Sequence, residues 1–225
     1  MTFCTLPGII DLQMKIDRAG FPFIAAALIP AALFAAMRRY TLAAPFAAIG
    51  GFMAYFFRDP ERLVPQGSGL VVSPADGRVM FSGSGDSKWS PPGSWKQITI
   101  FLSPMDVHVN RTPVDGKVTR VDYRPGKFLP AYKEAANENE LNEVWIDHGG
   151  RPVVFRQVVG VLARRIVCRV AEGQMLERGE RIGLMRFGSR MDVFLPTDAT
   201  LLVSEGDRVV GGETVLATLE NGSAR

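Results

Sequence analysis

The sequence predicts a mostly β domain, compact and built from duplicated hairpins, behind an N-terminal α-helical hydrophobic hairpin. Three observations predict it. Two long uncharged runs open the chain. Short β-branched runs punctuated by Gly, Asp-Gly and Pro fill the rest. Two sequence echoes recur inside that β-rich part.

Residues 1–18 read as a short leader, expected to be helical near Asp11 to Arg18. Ala19 to Met37 is a run of 19 residues without a charge, and after Arg38-Arg39 the run Tyr40 to Phe57 adds 18 more. As helices, each would be about 27–28 Å long, close to the ~30 Å of a hydrocarbon core. Their Ala and Gly content suits two closely packed helices, and Pro30 and Pro45 are potential kinks. Lys15 and Arg18 ahead of an apolar run also fit a cleaved signal peptide, but a second apolar run follows directly. A re-entrant hairpin competes with a spanning one. With both ends in the cytoplasm, a spanning hairpin would put Arg38-Arg39 outside, against the positive-inside tendency. The reading is of attachment to the cell membrane with the catalytic part on the cytoplasmic side. Residues 1–57 form the leader and membrane-associating hairpin, and residues 58–225 the β-rich domain.

Arg58-Asp59-Pro60 ends the apolar region, and Pro65-Gln66-Gly67-Ser68-Gly69 is a linker. Strands are expected at Leu70–Ser73, Arg78–Ser82, Lys96–Leu102, Gly116–Tyr123, Asn142–His148, Arg151–Val159, Arg165–Val170, Arg181–Phe187, Met191–Leu195, Thr200–Val203 and Thr214–Leu219. Pro130–Asn139 is expected to be a helical or irregular insertion. The run Ser73-Pro-Ala-Asp-Gly-Arg-Val79 echoes Thr112-Pro-Val-Asp-Gly-Lys-Val118, each a tight Asp-Gly turn entering a strand. The spacing Glu-Gly-x5-Gly-Glu, from Glu172 and again from Glu205, recurs after 33 residues. These echoes resemble the hairpins of barrel-sandwich hybrid domains, the architecture of lipoyl carriers.

Other function classes find little support. Cys4 and Cys168 lie on opposite sides of the apolar hairpin, which speaks against a disulfide framework. Two His and two Cys leave few ligands for a structural zinc, so no metal is expected. No Walker or dinucleotide glycine motif is present. Net charge is only +3, but residues 151–190 hold nine Arg and three Glu. That stretch suits a solvated strand face or attraction to anionic headgroups. Without interleaved aromatics, nucleic acid is not an expected partner.

The candidate chemistry centres on Gly188-Ser189. Gly-Ser also occurs at 67, 83, 93 and 222, but only at 188 is it flanked by apolar strand-like residues, Ile182 to Phe187 and Met191 to Leu195. A serine can cut the peptide bond before it if three needs are met. Its hydroxyl must reach the preceding carbonyl. The preceding residue must be small, as Gly188 is. A base must take the hydroxyl proton and later the α-proton. His108, paired with Asp76 or Asp106, is the best base available. β-Elimination of the resulting ester and hydrolysis would leave a pyruvoyl group on Ser189. The products would be a β chain of residues 1–188 and an α chain of residues 189–225.

Three ordered motifs carry a specific resemblance. They are Ser73-Pro-Ala-Asp-Gly77, Phe101-Leu-Ser-Pro-Met-Asp-Val-His-Val-Asn-Arg-Thr-Pro113 and Phe187-Gly-Ser189. With the hydrophobic leader and the Pro125-Gly126-Lys127-Phe128 region, they resemble the short-chain class of phosphatidylserine decarboxylases over nearly the whole chain. The resemblance implies catalysis by Ser189, His108 and Asp76, with Asp106 and Arg111 in support. It implies a covalent pyruvoyl cofactor that takes phosphatidylserine as a Schiff base, loses CO2 and releases phosphatidylethanolamine. It also implies a heterodimer of the chain's own β and α parts, with higher assembly left open. Arg111 stands where the long class has a second His, and Arg190 stands in place of the hydroxyl residue that usually follows Gly-Ser. Two other readings compete: a pyruvoyl decarboxylase of a soluble amine, which would need no apolar hairpin, and a membrane-tethered lipoyl-like carrier or adaptor. A carrier should present a Lys at a hairpin tip, but the echoed tips are Glu172-Gly173 and Glu205-Gly206. As a separable anchor, the segment 1–57 is expected to be dispensable for self-cleavage.

Overall fold

The apolar runs form two helices whose ends are tied together at one point. The computed structural model describes residues 15–86, 88–161, 166–186 and 189–219. Strand β1 (Lys15–Ile16) precedes α1 (Phe21–Ala36), and α2 (Tyr40–Phe56) leads into β2 (Arg58–Asp59). β1 pairs antiparallel with β2 and closes the base of the hairpin. Of the leader expected to be helical, Asp11–Met14 lie outside the described residues, and Lys15–Ile16 are extended. The change has a local cause. Asp17 has extended backbone and caps the turn Arg18–Gly20 by accepting from the Ala19 amide at 2.8 Å, so helix begins only after it. Asp17 also takes a bidentate bond from Arg169, at 2.6 and 2.7 Å, which pins the hairpin to the β domain.

Both helices run through their prolines, Pro30 and Pro45. They face each other through small residues, Ala27, Ala31, Ala43 and Gly50. A Cβ on Gly50 would sit 2.4 Å from Leu28 Cδ2, so any larger residue there would have to displace the Leu28 side chain. The outer faces, with Ile29, Leu33 and Ile49, are exposed, and Arg38 and Arg39 occupy the tip.

The β domain comprises β3 (Leu70–Val72), β4 (Gly77–Ser84), β5 (Lys96–Leu102), β6 (Val109–Arg111), β7 (Gly116–Arg124), β8 (Leu141–His148), β9 (Arg151–Val159), β10 (Ile166–Cys168), β11 (Met175–Leu176), β12 (Arg181–Met185), β13 (Ser189–Leu195), β14 (Thr200–Leu201), β15 (Arg208–Val209) and β16 (Val215–Thr218). The insertion at Pro130–Asn139 is largely irregular, with one 3-10 turn at Glu134–Glu138. An eight-stranded sheet runs β11-β7-β8-β9-β13-β5-β4-β15. Two three-stranded sheets run β10-β12-β6 and β14-β16-β3.

This order is a duplication. Reading the large sheet from either end gives equivalent strands, and the two small sheets match likewise. The echoed motifs make matching contacts. Ser73 Oγ donates to Ala75 O at 2.6 Å and Thr112 Oγ1 to Val114 O at 2.7 Å. A Cβ on Gly77 would meet Phe101 O at 2.2 Å, and one on Gly116 would meet Asp147 O at 2.3 Å. Both Asp-Gly turns therefore require glycine because another strand's carbonyl lies against them. One half is continuous, β6 to β12. The other is split, with β3–β5 before the continuous half and β13–β16 after it. The main core lies between the sheets, from Ile98, Ile100 and Leu102 to Phe155, Met191 and Val193.

Candidate active site

Ser189 is the first residue of β13, opposite Leu102 of β5 on one side and Val159 of β9 on the other. It is fully buried, and its Oγ has no hydrogen-bond partner among the described residues. A buried hydroxyl without a partner costs free energy, so its persistence needs a reason. Gly188, the other half of the expected cleavage site, lies outside the described residues.

The duplication gives Ser189 its setting. In the continuous half, β8 and β9 join through the turn Gly149-Gly150, both at positive φ. In the split half, the equivalent strands β5 and β13 are not joined. The chain leaves at Leu102 and returns at Ser189 after the whole continuous half. Two connections therefore start from the Leu102–Ser189 pair, and they meet again where the Met185 amide donates to His108 O at 3.3 Å. Ser189 and His108 are thus brought to one corner by backbone pairing.

His108 is 1% exposed. Its Nδ1 lies 2.9 Å from Asp106 O, so Nδ1 carries the proton and Nε2 the lone pair. Burial pushes the imidazole down to about 4, against the smaller upward pull of the Asp106 carbonyl and charge. The ring is a neutral base at physiological pH. Its ring centroid lies 4.2 Å from that of Phe56, the last residue of α2.

The carboxylates lie elsewhere than a His–carboxylate pair would require. The Asp106 carboxylate accepts from the Ser103 amide at 2.8 Å and meets Arg208 at 3.2 Å, so it shapes the loop rather than the ring. Asp76 is held by Arg62, at 2.8 and 3.0 Å, and by the Gly211 amide at 2.8 Å. No Asp76–His108 hydrogen bond is present among the described residues. The turn that carries Asp76 still touches the site, because Pro74 O accepts from the Arg111 amide at 2.8 Å. Arg111 is buried, donating to Gly179 O and Pro60 O at 3.0 Å and meeting Asp59 at 3.4 Å. Asp59 also takes Arg181 at 2.6 Å. Arg190 follows Ser189 in the strand and so points to the opposite face. There it bonds Asn137 and Asp192 beside a cavity of about 410 Å³. The cation after the serine is therefore on the far side of the sheet from it.

One polar feature was not read from the sequence. Asn142 Nδ2 donates to Gln157 Oε1 at 3.3 Å, and Gln157 Nε2 donates to Asn110 Oδ1 at 2.9 Å. All three are buried, and Asn110 Nδ2 has no partner among the described residues. Gln157 stands opposite Met191, two residues along and on the same sheet face as Ser189. The available signal was a polar residue inside the apolar run Val153–Val159.

A sealed serine and a neutral imidazole in a duplicated β domain make up the arrangement of an acid–base enzyme. The echoed hairpin tips offer no carrier lysine. The sequence model of the phosphatidylserine decarboxylase family matches residues 49–217. A protein of Symbiobacterium thermophilum named phosphatidylserine decarboxylase proenzyme is 48% identical over 206 residues, covering 91% of this chain and 95% of its own. Proteins of the same name from Desulfotalea psychrophila and Nitrosomonas europaea are 41% and 44% identical, covering 92% and 90% of this chain and 98% and 94% of theirs. The chain belongs to the phosphatidylserine decarboxylase family and is a decarboxylase.

Proposed function

We propose that this chain cuts itself at Gly188-Ser189 and then decarboxylates phosphatidylserine to phosphatidylethanolamine through a pyruvoyl group on residue 189. The observation that carries this reading is the buried, unpartnered Ser189 Oγ at the corner where His108 stands neutral. The names of the relatives, all proenzymes, support a processing step.

His108 Nε2 takes the Ser189 hydroxyl proton as Oγ bonds to the Gly188 carbonyl carbon. The Gly188–Ser189 C–N bond breaks, and its nitrogen gains a proton. The resulting ester loses the Ser189 α-proton, and the Cβ–O bond breaks to release residue 188 as a carboxylate. Water then displaces the nitrogen as ammonia and leaves a ketone at residue 189. Gly188 suits this step because no side chain crowds its carbonyl. The ketone supplies an electrophile that takes up the substrate amine and accepts the electron pair left by CO2. Asn110 Nδ2, oriented by Gln157, is a donor available to developing negative charge on that face. Asp106 supports the loop that carries His108, Asp76 holds its own turn to Arg62 and Gly211, and Arg111 holds β6 to Asp59.

The two products stay together in this account. β13 lies between β5 and β9 and pairs with both, so the 1–188 and 189–225 chains form one folded heterodimer. The substrate is a lipid, and Arg18–Ala36 is an apolar helical stretch of 19 residues with mean hydropathy 2.0, long enough to cross a bilayer. The α2 helix is shorter. The apolar hairpin supports a reading of attachment to the cell membrane, and in that reading the β domain lies on the cytoplasmic side. The test is turnover of phosphatidylserine in vesicles by the full chain. Wild type should yield phosphatidylethanolamine and CO2, and Ser189→Ala should yield neither. Equal turnover by both would refute the proposal.

A further inference from the structure

The junction between α2 and β2 touches the catalytic loop at every residue but one. Tyr55 Oη donates to Met105 O at 3.2 Å, and Arg58 Nη2 donates to the same carbonyl at 2.7 Å. Arg58 also donates to Tyr55 O at 2.8 Å and lies 3.8 Å over the Tyr55 ring. Between them, the Phe56 ring lies against the His108 ring at 4.2 Å and 36°. Phe57 faces the other way, against Phe23 and Leu184, and its carbonyl accepts from the Asp17 amide at 2.8 Å. The loop 103–108 is braced internally by Asp106 and by Arg208 from β15. Met105, at its apex, is 53% exposed and is held from outside by the hairpin.

From this geometry we infer that the last turn of the hairpin is a positioning element of the active site: Phe56 fixes and seals the His108 ring, while Arg58 and Tyr55 fix the loop that carries it. The inference rests on the reading of His108 as the base. An anchor needs only apolar length, and its composition could be exchanged freely. An element that seats the base cannot be exchanged or removed without loss. Phe56 is 1% exposed, so it offers nothing to a bilayer; its whole surface is spent on the protein. Among the described residues, charge reaches His108 from Asp106 on its own loop and from Arg58 of β2, and Arg208 is paired with Asp106. Arg186, just beyond β12, lies over the Phe23 ring. Opening the Phe56 side admits water to the ring and restores its affinity for a proton.

The test uses the full chain in detergent. In a Ser189→Ala background the protein stays whole, and the imidazole titration of His108 is followed by NMR. The chain has two histidines, so His148→Gln assigns the signals. Phe56→Leu should raise the His108 midpoint by about one pH unit or more. Phe46→Leu, which removes a hairpin ring stacked on Phe34 away from the loop, should leave it in place. In chains with Ser189 intact, Phe56→Leu should slow splitting about tenfold at a pH where the imidazole is neutral in both proteins. Arg58→Gln, at a half-buried site, should slow it in the same direction. An unmoved midpoint in Phe56→Leu, or splitting as fast as wild type in both variants, overturns the inference. The midpoint is read whether or not the chain splits, so a wild type that never splits would sink the maturation reading and leave this one to be decided by the titration.

Discussion

Ser189 and Arg151 occupy equivalent places in the two halves of the sheet. Arg151 stands opposite His148 across a closed two-glycine turn, and Ser189 stands opposite Leu102 where that turn is missing. The halves differ there because one is threaded through the other. Ser189 thus begins a strand that no hairpin joins to β5, and a cut before it would remove no ladder pairing between β5 and β13.

It follows that the fragments of a chain cut before Ser189 would remain associated. The 189–225 chain should co-purify with 1–188 through native chromatography and separate only in denaturant, with a single unfolding transition by circular dichroism. Spontaneous dissociation of the small fragment in native buffer would contradict the central placement of β13.

Ser189→Ala should fold at least as well as the uncut wild type. The hydroxyl makes no hydrogen bond among the described residues, so its removal relieves a buried orphan worth about 1–3 kcal/mol. Thermal unfolding of His108→Gln, unsplit for want of the base, with and without Ser189→Ala checks this, and a marked fall in Tm on adding Ala would show a missed partner.

His108 makes stability depend on pH with a definite sign. Its folded value is pushed down to about 4 from 6.5, so between those values the unfolded chain binds a proton that the folded chain refuses. The contribution is fully present above pH 6.5. It falls as pH drops toward 4, by about 3 kcal/mol in all. Urea midpoints for the Ser189→Ala chain at pH 7.5 and 4.5, with and without His108→Gln, should show this loss only where His108 is present.

Asp59 holds two arginines, Arg111 and Arg181, at the base of the hairpin. Asp59→Asn leaves both cations facing each other in a largely buried site and should destabilise the fold by about 3–5 kcal/mol. Adding Arg111→Met should recover part of that loss. Equal destabilisation with and without Arg111 would show that the pair is not coupled.

Much of the fold was legible because β-branched alternation and the 33-residue echo are local signals. They gave the long strands and the duplication, and the matching contacts of Ser73 and Thr112 bear out the other echo, that of the two Asp-Gly turns. The two-residue strands β11 and β15 were missed because each lies inside a glycine-rich tip, where pairing comes from a distant partner. Asp76 or Asp106 was read as the partner of His108, but Arg62, ahead of the linker and fourteen residues before Asp76, takes the Asp76 carboxylate. No spacing rule reveals such a pairing. Phe56 was invisible for another reason. Inside 18 apolar residues one ring looks like any other, and only packing separates the one that meets His108 from those that face outward.

The most direct measurement is the mass of the small fragment after treatment with a hydroxylamine-type carbonyl reagent. The account predicts that the purified chain yields a 189–225 fragment whose first residue carries the reagent as an oxime, with activity lost in step with labelling. A fully active protein that stays in one piece, with an unlabelled serine at 189, would contradict it.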